Sequence, residues 1–437
     1  MKTITLYMPY KPTLYITINP ILWILSILLI CAFPFTSRAE ETPVTVIDGI
    51  VINSQNKKPL ANVSLTIVGS NVSTVTNSEG KFSLKVSPDD LNKDIKAELI
   101  GFKTAVVRSD FNSSGDDGRI VIRMEPGQKI SPIEKMLAEV TVYGGEPRKI
   151  VEEALRKIPE NYPQDDNLLT GFYRETIQKG NRFISISEAT VDVLKKSYKH
   201  RTSRGDKVKI NKARSLASQK SSDTLAVKLA GGPYMPVMLD IVKNGDHLFH
   251  ADEMDYFNFI MEEPVMIDDR MHFAVRFLPK VKLSYPLNKG RLFIDGETLA
   301  ISRAEFELDM SDRNKATRAI LQKKPSGLHF SPREVSGIVT YKFIDGKSYL
   351  NYISSTIKFK CDWKKRLFSS GYTTKAEMVI TDRKNETDNS RFKDSFSQRK
   401  IFSDMVENYW EEDFWKDYNI IEPTESLEKA VVKLKKK

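Results

Sequence analysis

Apolar residues alternate with polar ones along most of this chain, and the alternation comes in short runs. VTVIDGIVI (44–52), VSLTIVG (63–69), STVT (73–76), KFSLKV (81–86), AELIGFKTAVV (97–107) and RIVIRM (119–124) each have the period of two expected of half-buried strands. They give about seven short strands in about 80 residues, the spacing a two-sheet sandwich requires. The period then changes. Pro147 opens a segment whose Ile150, Val151, Ala154, Leu155 and Ile158 recur every three or four positions, with Glu152/Arg156 and Glu153/Lys157 pairs outside, which predicts a helix ended by Pro159. Beyond it alternation returns in FYRETI, RFISISEATVDVL, YFNFIME, HFAVRFLP and AEMVITD. Phe-Ile-Asp-Gly occurs twice, at Phe293–Gly296 and Phe343–Gly346, and each Asp-Gly predicts a tight hairpin reversal. In the second hairpin Ile353, Ile357 and Phe359 fall on one face and Ser354, Thr356, Lys358 and Lys360 on the other, predicting a wet face and a core face.

The fold class read from this pattern is mainly β: an N-terminal seven-stranded β-sandwich, immunoglobulin-like or transthyretin-like, followed by a larger curved antiparallel β domain with a few helices. The segments are 1–39 as export signal, 43–126 as sandwich, 127–147 as linker and 148–437 as the larger domain with an aromatic C-terminal stretch and a short helix.

The sandwich resembles the carboxypeptidase regulatory-like module. The residues that carry this are Gly49-Ile50-Val51, Pro59-Leu60 with Val63, Thr76-Asn77-x-x-Gly80-x-Phe82, and Gly101-Phe102. Such modules usually have Asp where this chain has Asn77; either side chain closes a turn on its own backbone. The resemblance implies a fold and no chemistry. LAEVTVYG (137–144) resembles the stretch that follows the same module in TonB-dependent outer-membrane receptors, but the roughly 290 residues beyond it are too few for a 22-stranded barrel. From about 148 onward the chain resembles the C-terminal region of Bacteroidetes proteins that carry such a module, through Asn161-Tyr162-Pro163, Gly171-Phe172-Tyr173-Arg174-Glu175, Lys212-Ala213-Arg214, Gly231-Gly232-Pro233, Asp240-Ile241-Val242-Lys243 and the run Phe414–Ile421. Together these resemblances imply a Gram-negative, Bacteroidetes-type envelope.

Composition changes the picture at the ends. Lys2 and Lys11 precede the apolar run ILWILSILLICAFPF (Ile21–Phe35), and Ser37 and Ala39 stand where a signal peptidase inspects. The run is shorter than the roughly 20 residues a spanning helix needs, so it reads as a cleaved export signal. Ile30 before Cys31 argues against lipidation. Cleavage behind Ala39 leaves Cys361 as the one thiol and, without Lys2, Lys11 and Arg38, lowers the formal charge from +10 to +7. That charge suits an anionic surface and is too dispersed for nucleic acid. The densest basic run, Lys195–Arg214, reads as a solvated loop. Trp410, Phe414, Trp415 and Tyr418 read as an anchor of the tail on its own domain, ahead of the amphipathic SLEKAVVKLKKK.

The chemistry-bearing patterns are sparse. His250-Ala251-Asp252-Glu253 has the His-x-x-Glu spacing of zinc carboxypeptidases, with His272 or His329 as the remaining ligand candidates and His247 close by, but the surrounding pattern lacks the helix and parallel-strand alternation of that enzyme. Glu175 and Glu188, on adjacent predicted strands, could be imagined as a glycosidase pair. Gly231-Gly232-Pro233 reads as a turn, since Pro233 removes an amide donor from any phosphate cradle. Cys361 reads as packing. No catalytic, cofactor or metal residue is assigned. The expectation is a non-catalytic binding or assembly protein, exported and periplasmic or outer-membrane associated, whose partner is an envelope protein, a lipid or a glycan. The alternative is a periplasmic lipid or lipoprotein carrier, and a third reading is a zinc-dependent hydrolase.

Overall fold

The alternating runs pair into three sheets. The computed structural model describes residues 45–108, 119–127, 146–199, 201–220, 223, 231–245, 251–320, 326–363, 369–385, 392–409 and 420–435. Residues 1–39, 137–144, His247, His250 and the aromatic run 410–418 lie outside the described residues, and with them the readings placed there.

The front module has seven strands: β1 (Thr45–Asn53), β2 (Ser64–Ile67), β3 (Ser73–Val75), β4 (Lys81–Val86), β5 (Ile95–Glu98), β6 (Ala105–Val107) and β7 (Ile120–Met124). They form two sheets, ordered β4-β1-β7 and β3-β2-β5-β6. The inward residues of both sheets, among them Ile47, Val51, Leu65, Phe82 and Ile122, fill one core, as a sandwich requires. Between β3 and β4, Gly80 takes φ +71° and the Asn77 Oδ1 accepts the amides of Glu79 (2.9 Å) and Lys81 (3.0 Å), so the side chain closes the turn on its own backbone.

The expected helix divides into α1 (Pro147–Arg156) and α2 (Ile158–Asn161), because Pro159 sits in the first turn of the second piece, where its missing N–H costs nothing. The large sheet follows: β8 (Asn167–Lys179), β9 (Arg182–Lys195), β10 (Lys207–Ala217), β11 (Phe257–Met261), β12 (Val265–Ile267), β13 (Arg270–Pro279), β14 (Asn288–Asp295), β15 (Ile301–Leu308), β16 (Leu328–Ile344), β17 (Lys347–Trp363) and β18 (Ser370–Lys384). Its order is β10-β9-β8-β18-β17-β16-β15-β14-β13-β11, with β12 beside β13 and every pair antiparallel. Two meanders, β8–β10 and β11–β18, are joined where β8 pairs with β18.

One face of this curved sheet is filled by the chain itself. α1 lies on β11, α2 on β17, and α3 (Tyr234–Met238) on β17 and β18, while 402–409 supplies Phe402 and Val406. Their apolar side chains and those of ten strands form a single core with Tyr173, Phe273, Leu292 and Ile353. α4 (Arg313–Ile320) lies on β16. α5 (Glu425–Lys435) lies on β9 and β10. No helix among the described residues is long and apolar enough to cross a membrane.

Three expectations need correction. The basic run is a solvated loop only in its middle, where Lys199 and Arg204 are exposed: Lys195 ends β9, Lys207–Ala217 is β10, and Lys195 is 2% exposed. Its ammonium meets Asp206 (2.7 Å) and Asp240 (2.9 Å), and Asp240 also accepts from the hydroxyls of Tyr198 and Tyr341, both at 2.6 Å. Five side chains, one ammonium, two carboxylates and two hydroxyls, thus satisfy one another in the core. Secondly, the two Phe-Ile-Asp-Gly copies turn differently. Asp345 (φ +49°) and Gly346 (φ +80°) make the tight two-residue reversal between β16 and β17. Asp295 instead folds its carboxylate over a longer loop, accepting from the amides of Glu297 (3.0 Å) and Thr298 (2.7 Å), and Leu299 takes the positive φ. Thirdly, the polar face of β17 is not wet throughout, because Tyr352 and Ser354 are buried.

Candidate functional site: the seam between sandwich and sheet

What buries that face is the sandwich. β3 lies on β18: the Ser73 hydroxyl donates to the Ile380 carbonyl (2.8 Å) and the Asn71 amide to that of Arg383 (3.0 Å). Val75 joins Phe172, Tyr352, Val379 and Ile421 in a small apolar cluster. The segment leading to α5 completes the seam. Thr74 donates to the Ile420 carbonyl (3.1 Å), and the Asn77 Nδ2 donates to those of Glu422 (3.1 Å) and Pro423 (3.2 Å). Asp at position 77 would close the same turn but could donate to neither carbonyl.

Strand register sets out the sheet side of the seam as rungs. The first runs Arg214, Glu188, Arg174, Glu377 and Ser354 across β10, β9, β8, β18 and β17. Glu188 is 1% exposed and accepts from Arg174 (2.6 Å) and Arg214 (2.7 Å), while Arg174 also donates to the Ile421 carbonyl (2.8 Å). Burial opposes the Glu377 charge, but Lys375 (2.6 Å), Arg174 and the Tyr352 hydroxyl hold its carboxyl below the usual range. The next rung carries Thr176, Lys375 and Thr356, and the one beyond it Phe183, Gln178 and Thr373.

Above these rungs opens a cleft of about 320 Å³, walled on one side by Asn62 and the Thr76–Ser78 turn and on the other by Ile421, Thr424 and Ser426. Gln178, Thr356 and Thr373 reach into it and make no side-chain hydrogen bond among the described residues. A smaller cavity of about 90 Å³ continues along the seam past Val75 to Glu98, Asp268, Arg270 and Lys342. There Lys96 of β5 touches both Glu98 and Asp268, which stands at φ +53° in the two-residue turn between β12 and β13. Burial, with the Asp268 carboxylate alongside, pushes Glu98 up to about 7. Burial pulls Lys342 down to about 8 against the attraction of Glu98 and Asp268.

The residues singled out in the sequence do not converge. Arg174 and Glu188 face each other across β8 and β9, whereas Glu175 pairs with Ser187 and so points to the opposite face of the sheet from Glu188. The Glu175–Glu188 pair therefore cannot flank one bond. His250 lies outside the described residues and Glu253 falls in a short 3-10 turn. His272 is 2% exposed, with Nδ1 on the Arg270 carbonyl (2.9 Å) and Nε2 on the Ser302 hydroxyl (2.8 Å), so neither nitrogen is free for a metal. His329 is exposed on β16. Among the described residues no group of three or more His, Cys, Asp and Glu is placed to hold a metal. Burial pushes the Cys361 thiol up to about 11, and it packs beside Phe330 and Phe359. Gly231 and Gly232 do form a turn, both at positive φ, Gly231 against Met235 and Gly232 against Phe396 and Phe402. Sequence reasoning missed the seam itself. The signal was present at Asn77, whose departure from Asp adds a donor.

No curated protein matches the chain. Among solved structures it is similar to a DUF1329 family protein from Desulfovibrio piger, at 12% identity over 57% of this chain and 98% of that one with a TM-score of 0.25. It is also similar to a LolA superfamily protein from Nitrosomonas europaea, at 14% identity over 55% and 96% with a TM-score of 0.21. Both likenesses are loose. Residues 47–130 match the family model of the CarboxypepD_reg-like domain, which bears out for the front sandwich the resemblance carried by Gly49, Asn77, Gly80 and Phe82.

Proposed function

We propose that this chain is a binding protein of the cell envelope that performs no chemical step of its own and holds its ligand in the seam cleft. The observation that carries the reading is the cleft floor: Gln178, Thr356 and Thr373 have no side-chain partner among the described residues and stand in a recess whose walls come from three separate parts of the chain. Polar groups half withdrawn from water gain from a ligand that pairs with them. The volume lies at the lower end of the roughly 300–1,000 Å³ usual for ligand sites. The absence of a chemical step is supported by groups already engaged: Glu188 by two arginines, Glu377 by Lys375, His272 by both its nitrogens. The envelope address is supported by the signal-like run Ile21–Phe35.

A second reading, carriage of a lipid or lipid-modified protein, is supported by a different recess. A basin of about 660 Å³ lies between Pro279–Leu287 and Asp309–Lys315. Val281 and Leu283 on its wall are continuous with the main core, and Tyr285 at its edge is half exposed. Native mass spectrometry of the full chain purified from envelopes tests both. A bound mass that disappears in Thr356→Trp, which fills the cleft, is the expected result. A bound lipid unaffected by that substitution favours the basin, and a bare protein mass from a gently handled preparation contradicts the binding reading altogether.

A further inference from the structure

We infer that the seam cleft takes a saccharide, a short oligosaccharide segment; this rests on the cleft being the ligand site and names the class of ligand. The floor is a lattice. Thr176, Lys375 and Thr356 lie side by side on three strands, and Phe183, Gln178 and Thr373 form the next row. Neighbouring strands are about 4.8 Å apart and alternate rows about 7 Å apart, so the groups are spread over a patch the size of a sugar ring and its substituents. Hydroxyl and carboxamide groups each both donate and accept, as the hydroxyls of a sugar do. Ser78 and the mutually bonded Thr424 and Ser426 hydroxyls (3.0 Å) line the walls, while the Asn77 side chain is engaged by its own turn and by the Glu422 and Pro423 carbonyls.

Other ligand classes fit less well for stated reasons. An acyl chain would desolvate Gln178, Thr356 and Thr373 without replacing their bonds to water. A phosphate or other strong anion would need surplus positive charge, but Lys375 is already paired with Glu377 and Arg174 with Glu188. What remains is a neutral, hydroxyl-rich ligand. Among the described residues Phe183 supplies the aromatic ring of the recess, on which the C–H face of a sugar can lie while its edge hydroxyls reach Gln178 and Thr373.

The test uses the full chain on an array of defined neutral and acidic oligosaccharides, then calorimetry with the member bound best, with phosphatidylethanolamine–phosphatidylglycerol vesicles in a parallel arm. Thr373→Val and Gln178→Leu keep volume and remove the polar groups, and Thr356→Trp fills the recess; far-ultraviolet dichroism and the thermal midpoint establish that each folds. Saccharide binding should weaken about two- to tenfold in the first two, the equivalent of one ordinary hydrogen bond, and vanish in the third. Saccharide binding that all three folded variants leave unchanged overturns the cleft as the site. No array signal, with a co-purified molecule that Thr356→Trp still displaces, overturns the saccharide class and leaves cleft binding standing. Vesicle binding that Thr356→Trp abolishes, with no array signal, does the same in favour of a lipid.

Discussion

Asn77 does two jobs with one side chain. Its oxygen closes the β3–β4 turn and its nitrogen ties down the segment before α5 through Glu422 and Pro423. Replacement by Asp separates the two. The turn survives, because a carboxylate accepts the Glu79 and Lys81 amides equally well, but the donor is replaced by an acceptor facing two carbonyl oxygens. Asn77→Asp should therefore leave the sandwich folded and cost about 1–3 kcal/mol, with faster amide exchange across 420–427. Unchanged exchange there would show that Asn77 does not hold the segment. Other single residues were harder to read in advance. Asp240 and Lys195 stand in the sequence like any surface charges, and what buries them is a meeting with Asp206, Tyr198 and Tyr341 that spans 146 positions of chain. Lys195→Met would leave the Asp206 and Asp240 charges in the core without the ammonium they share, which marks the pairing as framework.

Between elements, the seam has a titratable joint. β5 brings Lys96 and Glu98, the β12–β13 turn brings Asp268, and β16 brings Lys342, with Arg270 lining the same cavity. A carboxyl held above its unfolded value stabilises the fold fully below that value and loses the contribution as pH rises through the folded one. For Glu98 the loss runs from about 4.5 to about 7. Lys342, held below its unfolded value, contributes above 10.5 and loses its share as pH falls through about 8, a separate window. Glu98→Gln keeps a donor toward Asp268 without a proton to lose. The thermal midpoint of the native chain should fall relative to Glu98→Gln by about 2 °C or more between pH 5 and 7.5, and parallel curves would contradict the joint. At this scale the strands themselves were largely legible. β8, β9, β11, β13 and β18 follow the alternation of FYRETI, RFISISEATVDVL, YFNFIME, HFAVRFLP and AEMVITD, and Asp345-Gly346 turns as its residues dictate. β10 was not, because its polar residues Lys207, Lys209 and Lys212 dominate the composition while Val208, Ile210 and Ala213 quietly supply the buried period. Nor was the Asp295 loop, whose shape follows from a carboxylate engaged by Arg270 and by its own downstream amides.

For the whole molecule, the sequence announces two β units and leaves unsaid that they dock. Alternation specifies which side chains leave a sheet together, but not which foreign surface meets them, and the seam is made by Ser73, Asn71 and Thr74 bonding to partners more than 300 positions away. One face of the large sheet is filled by the chain's own helices and the other is divided among the sandwich, α5 and the open cleft between them. That division leaves the cleft open for the proposed ligand. The most direct test is a crystal structure of the full chain with whatever co-purifies with it. Ligand density is expected in the seam, in contact with Phe183, Gln178 and Thr373 and beneath Asn77; an empty seam with density in the Pro279–Leu287 basin would contradict binding in the cleft.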